Sequence, residues 1–466
     1  MKTRPGRLEA LASTVKERRA SAEELVLESL RRIERAQDVN AVVALRPEEA
    51  LDDARALDAR VAGGEQAGPL AGLPLLVKDI EDAQGLSTTF GSLLFADAPP
   101  AQRDGVQSER LRRAGAILVG KTNTPEFALL GHTANRLFGA TRNPWNRAYS
   151  PGGSSGGSGA ALAAGLVPLA TATDVGGSIR IPAAACGLVG LKPSAGRVGR
   201  DPILSTPDMN HMGPLAATVA DARLLLSLLA GPVRGDPFSL PAAPLAPDRL
   251  PRRLFAAARF ARAGPLAPEI DSLFHEAVDA VASALDSPAE MLEPEQVLPS
   301  GFDPDDWGRI IGAEQAHALG AERIRREADR LDPDAREFLE FGLAVSAADY
   351  AAARSRRYRY TLELDSLIGE DGVLLTPTLT VDGWTPAGRT HEGETLPWWV
   401  FNTEVANFTG HPAASVPAGH TQNGVPFGLQ IIGPRFADEV VLGVAAAFEA
   451  SRPWPPVADG YEPFEP

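Results

Sequence analysis

The chain has 466 residues and carries 45 Lys and Arg against 60 Asp and Glu, a formal charge of −15. That acidity argues against a nucleic-acid partner, because neutralising phosphates takes an excess of basic side chains. A single cysteine, Cys186, excludes an internal disulfide framework and a cysteine-built metal cluster. No apolar run approaches the roughly 20 residues of a membrane span, and Met1 to Ala20 lacks the apolar stretch of a secretory signal. The expected compartment is the cytoplasm.

In chain order, residues 1–65 read as a helical layer. Ser21 and Glu24 form a capping box ahead of Leu25, Leu27, Leu30 and Ile33 at near-helical spacing. From residue 66 to 230 short apolar runs, LPLLV, AILVG and GLVPLA, alternate with Gly-rich turns and helical stretches, as in a sheet dressed with helices. A Pro-rich connection from Gly231 to Arg253 leads into residues 265–360, where Ala, Glu, Arg and Leu recur at helical spacing. This reads as a helical insertion. Residues 368–466 return to the sheet through GVLLTPT and a hairpin around Asn423-Gly424. The expected fold is α/β: a single large domain with one twisted mixed β-sheet of roughly 8 to 15 strands between helical layers.

Two motifs match patterns that their context refuses. GAILVGKT, Gly115 to Thr122, fits the phosphate-loop pattern, but its intervening residues Ala116 to Val119 are themselves strand-like and Pro125 follows at once. Gly152 to Gly156 fits the nucleophile elbow G-x-S-x-G, but the upstream NPWNRAYSP cannot be the strand that motif needs. The later histidines that an elbow hydrolase would require, His211, His275, His317, His391, His411 and His420, have no distinguishing context.

Three stretches carry chemistry. GLPLLVKDI places Lys78 at the end of an apolar run, where desolvation would lower its pKa toward that of a base. SPGGSSGGSGAALAAG places Ser154, Ser155 and Ser158 in a Gly-rich loop that feeds a helix N-terminus. In TATDVGGSIR, Gly176 and Gly177 precede Ser178 and let backbone N–H groups converge beside its hydroxyl, as an oxyanion hole requires.

Together with KTNTPEF, FGATRNPWN, NFTGHPAASVPAG and GLQIIG, these stretches resemble the amidase signature family over most of the chain. The resemblance implies a triad of Lys78, Ser154 and Ser178, with a cis peptide between Gly153 and Ser154. It also implies Ser155, Asp174 and Arg180 as supporting residues, and Val175, Gly176, Gly177 and Ser178 as oxyanion donors. The implied activity is an amidohydrolase that cleaves a carbon–nitrogen acyl bond in an amide, anilide or carbamate through an acyl-Ser178 intermediate. Ser154 would shuttle the proton, Lys78 would be the base, and neither metal nor organic cofactor would take part. The expected partners are a small-molecule substrate and a second copy in a homodimer, with no nucleic acid and no membrane. The insertion and the aromatic segment Trp384, Trp398, Trp399 and Phe401 are candidates for specificity, the aromatics serving as pocket wall or as core. An alternative reading is the glutaminase component of a glutamyl-tRNA amidotransferase complex, although KTNTPEFALLGH departs from the KTN-x-DEFAMG pattern associated with that component.

Overall fold

The computed structural model describes residues 6–201, 208–260, 265–390, 393 and 402–464. Trp398, Trp399, Phe401 and His391 lie outside the described residues.

The capping box at Ser21 is present. Its hydroxyl accepts the Glu24 N–H at 3.0 Å, and Glu24 Oε2 accepts the Ser21 N–H at 2.8 Å. The helix Ala22–Arg35 then buries Leu25, Val26 and Ile33. The first 65 residues are not all helix, because Val42–Leu45 is a strand paired with Ile117–Thr122.

Among the described residues, hydrogen bonding divides the strands into a four-stranded and a seven-stranded sheet, with two short ribbons. The smaller sheet runs in the order Val42–Leu45, Ile117–Thr122, Pro74–Lys78, Leu169–Ala170. The larger runs Leu215–Ala216, Val189–Lys192, Ala413–His420, Pro426–Ile432, Gly372–Pro377, Arg253–Ala256, Ala289–Met291. The expectation of one continuous sheet of at least eight strands is therefore corrected, while the single α/β domain with mixed pairing stands. One apolar core joins the two sheets, with Leu75 and Leu118 of the smaller clustered with Val189, Ala414 and Leu429 of the larger. The ladder breaks where the chain makes only two-residue strands, Leu169–Ala170 and then Thr173–Asp174, which pairs with His211–Met212. Past Asp174 the glycines turn the chain away from the sheet into the helix Arg180–Cys186.

The hairpin at Asn423-Gly424 forms as read, with Ala413–His420 and Pro426–Ile432 antiparallel and Gly424 at φ +73°. The region 265–360 is only partly an insertion. Its first helix, Pro268–Leu285, buries Phe274 and Val278 in the main core and connects Arg253–Ala256 to the parallel strand Ala289–Met291. It is a βαβ crossover, whose helix must cover the sheet. The helices that stand over the site begin later, at Asp305–Leu319 and Pro333–Ala344. They cross closely at glycines, since a Cβ on Gly342 would lie 2.0 Å from the Gly312 carbonyl oxygen.

Candidate active site

The strand Pro74–Lys78 is buried along its whole length between two parallel neighbours, which explains why it reads as a continuous apolar run. Lys78 is its last residue and is fully buried. Its Nζ donates to Ser154 Oγ at 2.7 Å and to Thr173 Oγ1 at 3.0 Å. Burial lowers its pKa to about 7, against the opposing pull of Glu81 and Asp174. An amine with that pKa is half neutral near pH 7 and can accept a proton.

Glu81 is a site residue that the sequence did not single out. It too is buried, and its Oε1 accepts the Thr171 hydroxyl at 2.6 Å while Thr171 Oγ1 accepts the Lys78 backbone N–H at 2.9 Å. Gln107 Nε2 donates to Glu81 Oε2 at 2.8 Å. Burial raises the Glu81 carboxyl to about 7, with those two hydrogen bonds opposing the shift. Nothing in the string IED marks this glutamate as buried; only the packing of the loop after Lys78 does.

Ser154 follows a cis peptide bond from Gly153, as the family resemblance implies. Ser155 joins the two serine loops: its N–H donates to the Ser178 carbonyl at 3.3 Å, and its hydroxyl accepts the Thr173 N–H at 3.3 Å. The helix that follows, Gly156–Ala163, is wholly buried and needs its glycines, since a Cβ on Gly157 would sit 2.4 Å from the Asn123 carbonyl oxygen.

The Ser178 loop is braced by an ion pair with no solvent exposure. Arg180 Nη2 lies 2.8 Å from Asp174 Oδ1, and Nε lies 3.0 Å from Oδ2. Burial by itself would raise the Asp174 carboxyl, but Arg180, with Asn407 and Lys192, holds it well below the usual carboxylate range. The remaining Arg180 donors reach the Thr403 carbonyl at 2.7 Å, Gln430 Oε1 at 2.7 Å and Asn407 Oδ1 at 2.6 Å. A buried guanidinium with its donors satisfied in this way is a rigid post. Asn407, from the NFTG stretch, returns its Nδ2 to Asp174 Oδ1 at 2.9 Å.

Asp174 also accepts the Gly177 N–H at 2.7 Å and the Ile179 N–H at 3.2 Å. Gly177 adopts φ +127°, and a Cβ there would lie 2.2 Å from Thr403 Oγ1, so only glycine fits.

Ser154, Ser178, Val175 and Gly176 line a cavity of about 520 Å³. Its walls include Phe90, Phe127, Trp307, Phe338, Phe341 and Trp384. Trp384 is thus a pocket residue, and Trp307 donates its Nε1–H to the Val175 carbonyl at 3.1 Å. His132, which the sequence pattern does not single out, lines the cavity as well, and burial lowers its pKa to about 4.

The rejected motifs stay rejected. Lys121 of GAILVGKT is buried in a strand with its Nζ 2.9 Å from Asp79, so it has no phosphate to hold. No strand leads into Gly152 to Gly156. His211 is buried, and its Nδ1 lies 2.7 Å from the Met209 carbonyl oxygen. Among the described residues no helix is long and apolar enough to cross a membrane.

A serine held by a buried lysine lines one cavity with a second serine on a braced Gly-Gly loop, the arrangement that the family resemblance implies. The amidase family model matches residues 24–442, so the chain belongs to the amidase signature family and is an amide-cleaving hydrolase. It is 35% identical over 477 residues to an acylamidase of Rhodococcus erythropolis, covering 95% of each chain. It is 36% identical over 474 residues to one component of the glutamyl-tRNA(Gln) amidotransferase of Synechococcus sp. strain CC9605, covering 93% of this chain and 95% of that one. Among solved structures it resembles a bacterial aryl acylamidase of the same family, with a TM-score of 0.86, 32% identity, and coverage of 95% and 96% of the two chains.

Proposed function

We propose that the protein is a free-standing amidase in which neutral Lys78 withdraws a proton through Ser154 from Ser178, and Ser178 Oγ attacks the acyl carbon of a small amide, anilide or carbamate. The observation that carries this reading is the 2.7 Å hydrogen bond from the buried Lys78 Nζ to Ser154 Oγ at the edge of the cavity that Ser178 lines. As the carbon–oxygen bond forms, the carbonyl becomes an oxyanion facing the loop amides. Gly177 N–H is already donated to Asp174, so the proposed donors are Val175, Gly176 and Ser178, with Gly177 bracing the loop. Ser154 passes a proton to the departing nitrogen, because an amine leaves poorly unprotonated, and is reprotonated from Lys78. The carbon–nitrogen bond breaks and leaves acyl-Ser178. Water then adds to the acyl carbon by the same relay, the bond to Ser178 Oγ breaks, and the carboxylic acid, or from a carbamate the carbonic half-ester, is released.

The aromatic lining, which includes no lysine or arginine among the described residues, supports an amide with an apolar or aryl body over glutamine, whose free carboxylate needs a cationic partner. That favours the hydrolase over the amidotransferase component. Purified chain, alone, should hydrolyse aryl amides; glutaminase activity that arises only with added partner proteins would overturn the reading. We further propose a homodimer, which light scattering on the purified protein checks, and a cytoplasmic location, which cell fractionation checks.

A further inference from the structure

Glu404 opens the helix Glu404–Thr409 and lines the same cavity as Ser154 and Ser178. Its backbone is fixed by its neighbour Thr403, whose carbonyl accepts from Arg180 at 2.7 Å and whose hydroxyl donates to the Gly176 carbonyl. The Glu404 side chain therefore stands at a set place beside the Ser178 loop. It is only 4% exposed, and its Oε2 has no hydrogen-bond partner among the described residues. A buried carboxyl oxygen without a partner is unfavourable and is relieved when a ligand supplies a donor. Two other buried oxygens of the same cavity, Asn210 Oδ1 and Gln315 Oε1, also have no partner among the described residues. The rest of the wall is apolar and aromatic apart from the two serines, Thr173, His132 and the carboxylates Asp305, Asp334 and Glu337.

We infer that Glu404 is a specificity-determining residue that binds a hydrogen-bond donor on an otherwise apolar amide substrate, with Asn210 and Gln315 accepting beside it. The inference rests on the amidase reading above and names its substrate class. Burial raises the Glu404 carboxyl to about 8, tempered by backbone N–H groups and Arg180. A neutral hydroxyl or amide N–H fits the protonated acid through its free lone pairs. An ammonium would instead draw the acid into its ionised form, so the two donor types are separable.

The test measures binding apart from turnover. Two probe series are titrated by calorimetry into a Ser178→Ala background: 4-methyl- against 4-hydroxy- and 4-aminomethylacetanilide, and heptananilide against 6-hydroxy- and 6-aminohexananilide. In at least one series a donor-bearing member should bind about tenfold to a hundredfold more tightly than its methyl counterpart. Adding Glu404→Leu should erase that ratio, with the donor-bearing member weakened and the methyl counterpart bound at least as tightly. A hydroxyl preference that persists in Glu404→Gln marks a neutral substrate; an ammonium preference lost in it marks a cationic one. Equal binding across both series, or a donor preference that Glu404→Leu leaves unchanged, overturns the inference. A Glu404-dependent donor preference in a protein whose wild-type form hydrolyses none of the anilides would overturn the reading as a free-standing aryl amide hydrolase instead.

Discussion

Lys78 Nζ lies 2.7 Å from Ser154 Oγ, and both groups are buried. The lysine pKa of about 7 comes from burial, and the sign for catalysis follows. The amine accepts a proton only when neutral, so kcat/KM, which reports the free enzyme, should rise with pH through about 7 and level off above it. Below that value the rate should fall about tenfold per pH unit. Lys78→Arg keeps a charge that does not dissociate in this range, and Lys78→Ala removes the base. Both should lose roughly 10²-fold to 10⁴-fold or more in kcat, with circular dichroism confirming the fold. Substantial activity in folded Lys78→Arg removes Lys78 from the base role.

Glu81 tunes that pH profile without touching substrate. Both groups titrate near 7 and act on each other as a coupled pair. Where Glu81 is ionised its charge favours the Lys78 ammonium, so Glu81→Gln should move the acid limb of the rate profile to lower pH. The plateau should change little, and a limb that moves upward or stays in place contradicts the assigned coupling.

Ser178→Ala should reduce turnover by roughly 10³-fold or more and abolish covalent labelling by a fluorophosphonate. Ser154→Ala should lose turnover but keep slow labelling, since Ser178 remains as nucleophile. Mass spectrometry of the labelled peptide separates the two serines. A label on Ser154 would invert their roles.

The Asp174–Arg180 pair predicts a stability effect with a defined sign. Arg180→Met strands a buried carboxylate and should cost about 3 to 5 kcal/mol in urea denaturation. Because the folded Asp174 pKa is depressed, its contribution is present above the unfolded value of about 3.9 and is lost as pH falls below it. Stability measured from pH 5 downward should therefore decline in the wild type, and the Asp174 part of that decline should be missing in Arg180→Met.

Trp307 links the covering helix to the proposed oxyanion loop through its 3.1 Å hydrogen bond to the Val175 carbonyl. Trp307→Phe keeps an aromatic wall and loses that bond, so kcat should fall by about threefold to tenfold with KM nearly unchanged. Trp307→Ala also removes the wall and should raise KM for aryl amides. Equal kinetics in wild type and Trp307→Phe would show that the bond does not position the loop.

The sequence by itself determined the local chemistry: the capping box at Ser21, the strand ending in Lys78, the Gly-rich serine loops, the hairpin at Asn423-Gly424 and, by resemblance, the family. Each is set by spacing along the chain, through helix or strand periodicity, turn geometry, or the room that glycine leaves. Tertiary structure decided what periodicity cannot encode. The sheet divides at Thr173–Asp174 because pairing depends on which distant strand, His211–Met212, arrives there. Thr173, His132, Trp307 and Glu404 became site residues only when loops and helices far apart in sequence closed on one cavity, and Glu81 only when its loop packed against Thr171 and Gln107 behind Lys78. The region 265–360 read as one helical block because helical spacing is the same in a crossover as in a covering helix. Its division followed from the parallel pairing of Arg253–Ala256 with Ala289–Met291. The reactivity of Lys78 belongs to both levels: the chain placed an amine at the end of a strand, and the packing that excludes water from it sets its pKa.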